Sequence, residues 1–327
     1  MNERTNTCLA LDIGGSKVDA AWMDSNGRVE GTIHNFPVPF EASGAGDPQR
    51  LIESIRPFID QAVQAGLNLR GIGLSLCGNV NAETGEAVLN PNLHWRNLPF
   101  GKMLSDAFQL PVHAETDVRQ AALAERIWGV ASGVHNFAWC TIGTGYGGYL
   151  YLKDRLYGGS HGFAGNFGHI TLDEINGYPC GCGRRGCFET FVAGPAIARQ
   201  GQQAADGNRS PMLIQMADGK PVTTRMVIQA SQAGDPAAVE IIEQVIRLIS
   251  INLGGVVNLL DLDMIVIGGG VANSSSDFIQ RIDRRIRDFL MTEEAKRDLK
   301  IIKESFSNAT LYGAAADFFI REGYLVE

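Results

Sequence analysis

Thr141-Ile-Gly143-Thr144-Gly145-Tyr146-Gly147-Gly148-Tyr149-Leu150-Tyr151-Leu152-Lys153 is the stretch from which the architecture can be read. Its glycines satisfy G-x-G-x-x-G, the spacing of a dinucleotide-binding turn. That turn needs a helix behind it, so that the helix amino terminus meets a pyrophosphate. Here residues 149–153 carry strand cues instead. The glycines therefore sit at the tip of a strand-turn-strand unit, 137–142 and 148–153, where backbone amides can converge on an anion. A similar unit precedes it: 7–13 reads as a strand, Asp12-Ile13-Gly14-Gly15-Ser16-Lys17 as the tip, and 18–23 as the return strand. Two such hairpins suggest a duplicated architecture.

Outward from the hairpins, strands and helices alternate. The turn Asp24-Ser25-Asn26-Gly27 starts a further hairpin arm. Residues 51–65 have helical periodicity stopped by Gly66. Then follow a buried strand at 71–76, a helix at 102–108, a short strand at 112–114 and a helix at 117–128. Residues 201–222 are polar with little pattern and read as a loop or local insertion. Asp235-Pro236 is a helix start, Asp as cap and Pro in the first turn, and a long apolar-faced helix runs on to about Leu260. A strand at 264–267 enters Gly268-Gly269-Gly270, and 311–320 reads as a last helix. The alternation means an α/β protein.

A length of 327 residues is enough for about two domains. A formal charge of -8 argues against a nucleic-acid partner, whose backbone demands a basic face. It is compatible with a small anion held locally by amides. Residues 1–7 are polar, without an apolar signal region. No run supplies the roughly 18 uninterrupted apolar residues of a membrane span: 246–260 is broken by Arg247, Ser250, Asn252 and Asn258. No membrane partner is expected. Of the six cysteines, Cys8, Cys77 and Cys140 sit singly in apolar surroundings, as small core residues do. Disulfides are not expected, and a reducing cytoplasm fits.

The other three cysteines fall together. His169 precedes Cys180-Gly181-Cys182-Gly183-Arg184-Arg185-Gly186-Cys187. Three thiols and an imidazole complete a tetrahedral zinc site with no position for water, which makes the metal structural; a chance cluster in a tight loop is the alternative. At the first hairpin, Ser16 and Lys17 add donors to Gly14 and Gly15, and Asp12 can hold Mg2+ through water, unless the hairpin is simply structural. The Gly268-Gly269-Gly270 triplet brings bare backbone close to a flat group such as adenine, or makes a plain strand-to-helix turn. A Walker-type loop is missing, since Gly101-Lys102 is followed by Met103.

Several motifs occur in a fixed order. They are Asp12-Ile-Gly-Gly-Ser-Lys17, Thr116-Asp117 ahead of Ala121-Ala122-Leu-Ala-Glu125, Gly143-Thr144-Gly145, Gly168-His169, the cysteine knot running on to Glu189, and the Gly268 triplet. In this order the chain resembles the ROK family of sugar kinases and sugar-responsive repressors, from about Cys8 to Leu311. The resemblance implies an actin-like ATPase (ribonuclease H-like) fold: two α/β domains, 1–116 plus about 308–327 and 117–307, with ATP and sugar in a central cleft. It implies Mg-ATP and structural zinc as cofactors, a homodimer, and a sugar substrate. Asp117 matches the catalytic base, with a helix N-cap as its plainer role. Glu189 and His169 match sugar contacts, with His169 also holding zinc through its other ring nitrogen and an ordinary solvated acid as the plainer role of Glu189. Gly78 and Asn92 match further hexose contacts on a weaker alignment.

Three positions depart from the family pattern. Thr116 stands where Asn is usual, Asn166 where Glu is usual, and Arg119 where another Asn is usual. Thr116 and Asn166 fall in the sugar-binding set, and an amide that both donates and accepts replaces an acceptor-only carboxylate at 166. A changed sugar is therefore expected, a hexose or N-acyl hexosamine, with plain glucose less expected than for an average family member. The second reading is a non-catalytic sugar sensor of the same family. The first loop begins at Asp12, which leaves no room for the helix-turn-helix extension of the family's repressors.

Overall fold

The computed structural model describes residues 5–161 and 164–326, so the leading residues of the polar 1–7 segment lie outside it. The chain divides into two compact units, Met1–Gly133 with Ser305–Glu327, and Val134–Glu304.

The first unit holds β1 (Asn6–Ile13), β2 (Lys17–Asp24), β3 (Val29–Pro37), α1 (Pro48–Gln64), β4 (Asn68–Leu76), a small sheet of β5 (Asn79–Asn81), β6 (Glu86–Asn90) and β7 (Trp95–Leu98), then α2 (Phe100–Phe108), β8 (Val112–Thr116) and α3 (Asp117–Ile127). Its main sheet has the order β3-β2-β1-β4-β8. β1, β2 and β3 form an antiparallel meander, and β4 and β8 run parallel to β1. Side chains alternate across a strand, so β1 feeds two cores. Leu9, Leu11 and Ile13 pack with Leu51, Ile55, Phe100 and Leu104. Cys8 and Ala10 pack with Leu311, Ala314, Phe318 and Phe319 of the last helix. Covered on both faces, β1 is apolar without a break from Cys8 to Leu11.

The first unit reaches further than Thr116. Glu125, fully buried on α3, accepts from the Ser305 amide at 2.6 Å, the Ser305 hydroxyl at 2.7 Å and the Val130 amide at 3.1 Å. These bonds join α3 to the segment returning at Ser305, so the helix carrying Asp117 belongs to the first unit.

The second unit holds β9 (Asn136–Ile142), β10 (Tyr146–Leu152), β11 (Leu156–Tyr157), α4 (Glu189–Val192), α5 (Gly194–Asp206), α6 (Pro211–Ala217), α7 (Thr224–Gln232), α8 (Pro236–Leu260), β12 (Met264–Gly268), α9 (Phe278–Ile286), α10 (Glu293–Asp298) and β13 (Lys300–Lys303); α11 (Ala309–Arg321) returns to the first unit. Its sheet order, β11-β10-β9-β12-β13, repeats that of the first unit, with β9–β11 antiparallel and β12 and β13 parallel to β9.

Residues 201–222 are not a loop. They hold the end of α5 and all of α6. Gly201, Ala204, Ala205, Leu213 and Ala217 face inward, and small residues of this kind hide an amphipathic period in a polar segment. The Ser210 hydroxyl caps α6 by accepting from the Leu213 amide at 3.0 Å, and it donates to Asp235 at 2.8 Å. Asp235 in turn caps α8 through the Ala238 amide at 2.9 Å. No helix among the described residues is long and apolar enough to cross a membrane.

Candidate functional site

In each unit the candidate residues gather at the carboxyl ends of the parallel strands, where ligands bind in open α/β sheets. In the first unit Asp12 pairs in register with Ser75, and Ser75 with Glu115, while Ile13, Leu76 and Thr116 form the next row. Asp117 follows at once as the first residue of α3. Thr116 precedes the helix without a side-chain cap bond. The Asp117 carboxylate accepts from the amide of Val118 at 2.8 Å. Burial raises its pKa to about 6 and the Asp12 charge adds to that, against the Val118 bond. Asp12 is itself pushed above the usual carboxylate range, first by burial, while the hydroxyls of Thr310 (2.6 Å) and Ser75 oppose the shift. A carboxylate lifted by a second one suits a cation, and magnesium takes one or two such ligands with retained water.

The tip of the β1–β2 hairpin is a tight turn, the Gly14 amide donating to the Lys17 carbonyl at 3.0 Å. Ser16 and Lys17 are exposed, and the Lys17 ammonium lies 3.1 Å from Asp19. Asn92 packs on this tip: a β-carbon at position 15 would fall 2.8 Å from Asn92 Cβ. Gly78 has φ +92, and a β-carbon there would lie 2.2 Å from the Leu89 carbonyl oxygen. Its glycine is thus required by the backbone. Arg119 is accounted for by the buried Glu115, 2.5 Å from its guanidinium.

In the second unit the two remaining glycine loops adjoin. A β-carbon at 143 would lie 3.7 Å from the Gly270 amide nitrogen, and the Gly143 carbonyl accepts from the amide of Gly194, the first residue of α5, at 2.7 Å. Glu304, which sequence reading passed over, braces the triplet: its carboxylate accepts from the Gly269 amide at 3.2 Å and from Asn273 at 2.8 Å. A lone acid just after a short strand carries no sequence signal for this role.

Glu189 connects the hairpin tip to the cysteine knot. It begins α4, accepts from the Tyr146 amide at 3.0 Å, and lies 3.6 Å from the Cys180 sulfur. A β-carbon at 145 would stand 2.9 Å from its carboxylate, which accounts for Gly145. Thr144, Cys180, Glu189 and Arg199 border one cavity of about 160 Å³.

The knot brings His169, Cys180, Cys182 and Cys187 together, their ligand atoms all within 4.8 Å of one another. His169 Nδ1 lies 3.5 Å from Cys180 Sγ, and the Cys182 and Cys187 sulfurs are 3.7 Å apart. Tetrahedral zinc, with bonds of about 2.3 Å to sulfur and about 2.05 Å to nitrogen, has edges of about 3.8 Å (S to S) and about 3.6 Å (S to N). The set fits such an ion. Asn166 is exposed, and its carbonyl accepts from the His169 amide at 3.0 Å.

The sequence profile of the ROK family matches residues 8–319. A glucokinase of Streptomyces coelicolor is 28% identical over 94% of this chain and 96% of its own length. A ROK family glucokinase from Streptomyces griseus, solved with glucose and AMPPNP, aligns with a TM-score of 0.77 at 27% identity, over 94% of this chain and 98% of that one. A ROK family transcriptional regulator, a homologue of the E. coli MLC protein, aligns with a TM-score of 0.85 at 27% identity, over 99% of this chain and 81% of that one. The repeated sheets are those of the actin-like ATPase fold, and the chain belongs to the ROK family.

Proposed function

We propose that this chain is an ATP-dependent sugar kinase, transferring the γ-phosphoryl group of Mg-ATP to a hydroxyl of a hexose or N-acyl hexosamine, with Asp117 as general base. The observation that carries the reading is the Asp117 carboxylate. It stands on the first turn of a helix at the carboxyl edge of a sheet, its pKa raised to about 6 by burial and by Asp12. A base works best with a pKa near the working pH. The sugar hydroxyl gives its proton to Asp117, its oxygen bonds to the γ-phosphorus, and the bond to the bridging oxygen breaks to release ADP. Positioning and charge neutralisation are most of what phosphoryl transfer asks of a protein. In the first unit the amides of Gly14 and Gly15, with Ser16 and Lys17, would take phosphate oxygens, and in the second unit Gly143, Thr144 and Gly145 form a loop of the same kind. Asp12 and Asp117 would hold the magnesium through retained water, and the bare Gly268–Gly270 backbone would suit a flat group such as adenine. The AMPPNP complex of the Streptomyces griseus relative supports ATP as donor.

With His169 Nδ1 turned to the thiols, Nε2–H is the donor left for a sugar hydroxyl beside Glu189. Zinc in the knot would hold this wall and take no part in the chemistry. Thr116 and Asn166 are where the accepted sugar would differ from glucose, because a site built for one set of hydroxyls rejects a mismatched set strongly.

ADP release with Mg-ATP across free hexoses, hexosamines and N-acetyl hexosamines tests the proposal, with Asp117→Asn as control. Turnover on one sugar, lost in the variant, is the expected result. The regulator's likeness to this chain favours a second reading, a sugar sensor. Tight binding of a sugar without turnover would replace the kinase reading with that one.

A further inference from the structure

We propose that Cys77 is a positioning residue for sugar recognition, its thiol holding the Asn92 carboxamide in place beside the catalytic edge. This rests on the sugar-kinase reading and on Asn92 as a sugar contact. Cys77 follows β4 directly and is only half-buried, whereas Cys8 and Cys140 are fully buried in the cores. Its Sγ–H donates to Asn90 Oδ1 at 3.4 Å, and its sulfur accepts from Asn92 Nδ2 at 3.5 Å. The anchor is rigid: Asn90 is fully buried, and its Oδ1 also accepts from the Leu93 amide at 3.1 Å.

The thiol therefore relays the fixed position of Asn90 to the exposed Asn92. With Nδ2 bound to sulfur, Asn92 Oδ1 is the acceptor left for a sugar hydroxyl. Burial, with Asp117 and Asp12 adding their charge, pushes the thiol up, so it stays protonated at neutral pH and keeps its proton for Asn90. Gly78, at φ +92, turns the chain away immediately afterwards and leaves the thiol facing these amides. Side chains joined in one hydrogen-bond chain are energetically coupled, so deletions along it are not additive.

The test measures steady-state constants for wild type, Cys77→Ser, Cys77→Ala, Asn92→Ala and the Cys77→Ala/Asn92→Ala double variant, on the sugar with highest turnover. Cys77→Ala should raise the sugar KM about fivefold, with a smaller change in kcat and none in the KM for ATP. Cys77→Ser, which keeps a donor and an acceptor, should recover most of the loss. The double variant should be no worse than Asn92→Ala. An unchanged sugar KM, effects that multiply fully in the double variant, or an equal rise in the KM for ATP would overturn the proposal. The same cycle read as sugar dissociation constants needs no turnover, so a failed kinase reading and a failed Cys77 relay give different results.

Discussion

At the scale of single residues, the proposed base Asp117 is the position whose exchange tells most. Asp117→Asn should lower kcat by about 10²- to 10⁴-fold, the usual worth of a positioned base, and leave sugar affinity nearly unchanged; calorimetry beside steady-state rates separates the two. Because the carboxylate titrates at about 6, kcat/KM should fall about tenfold per pH unit below that value, as the base is protonated in the free enzyme. The stability effect has the opposite sign. The folded pKa lies above the unfolded value of 3.8, so the native state binds the proton more tightly and loses stability as pH rises from about 4 to about 6. Asp117→Asn should therefore melt a few degrees above wild type at pH 7 and match it below pH 4. A variant that melts lower at pH 7 would mean that the carboxylate is a net stabiliser. The Thr116-Asp117 motif marks Asp117 as a candidate in sequence, but the charge that tunes it is not legible there: Asp12 reaches it through the β1-β4-β8 register, which no local pattern encodes.

At the scale of elements, legibility follows the size of the side chains. Strands with large apolar residues, such as β9 and β12, lie within a residue of where periodicity places them. The helical part of 201–222 is hidden because its buried helix positions are Gly201, Ala204, Ala205, Leu213 and Ala217, with one large side chain among them. The knot is legible because its four ligands are few residues apart and chemically distinct, and their assembly within 4.8 Å follows. The Glu304 brace and the Glu125 tie are invisible in sequence, since a hydrogen-bonded acid looks like a solvated one until its donors are placed. Cys182→Ser should lose the metal and lower thermal stability by several kcal/mol, since bound structural zinc contributes folding free energy directly. Metal content and melting curves measure this; a zinc-free, stable and active variant would mean that the four residues hold no structural ion.

For the whole molecule, the two units carry the same strand order with different attachments. All four metal-ligand candidates lie in the unit Val134–Glu304. Chelation should therefore speed amide hydrogen exchange through residues 164–200 while the strands β1, β4 and β8 keep their protection. Equal loss in both units would show that they do not hold separate local stabilities. The return of α11 has a consequence for synthesis. Cys8, Ala10, Ala21 and Met23 of β1 and β2 share their buried cluster with Leu311, Ala314, Ala315, Phe318 and Phe319 of α11, whereas Val134–Glu304 is one uninterrupted run. On the ribosome, the unit encoded first must wait with half its sheet bare, and the unit encoded second can finish before it. That bare β1–β2 face is the surface a nascent-chain chaperone would meet.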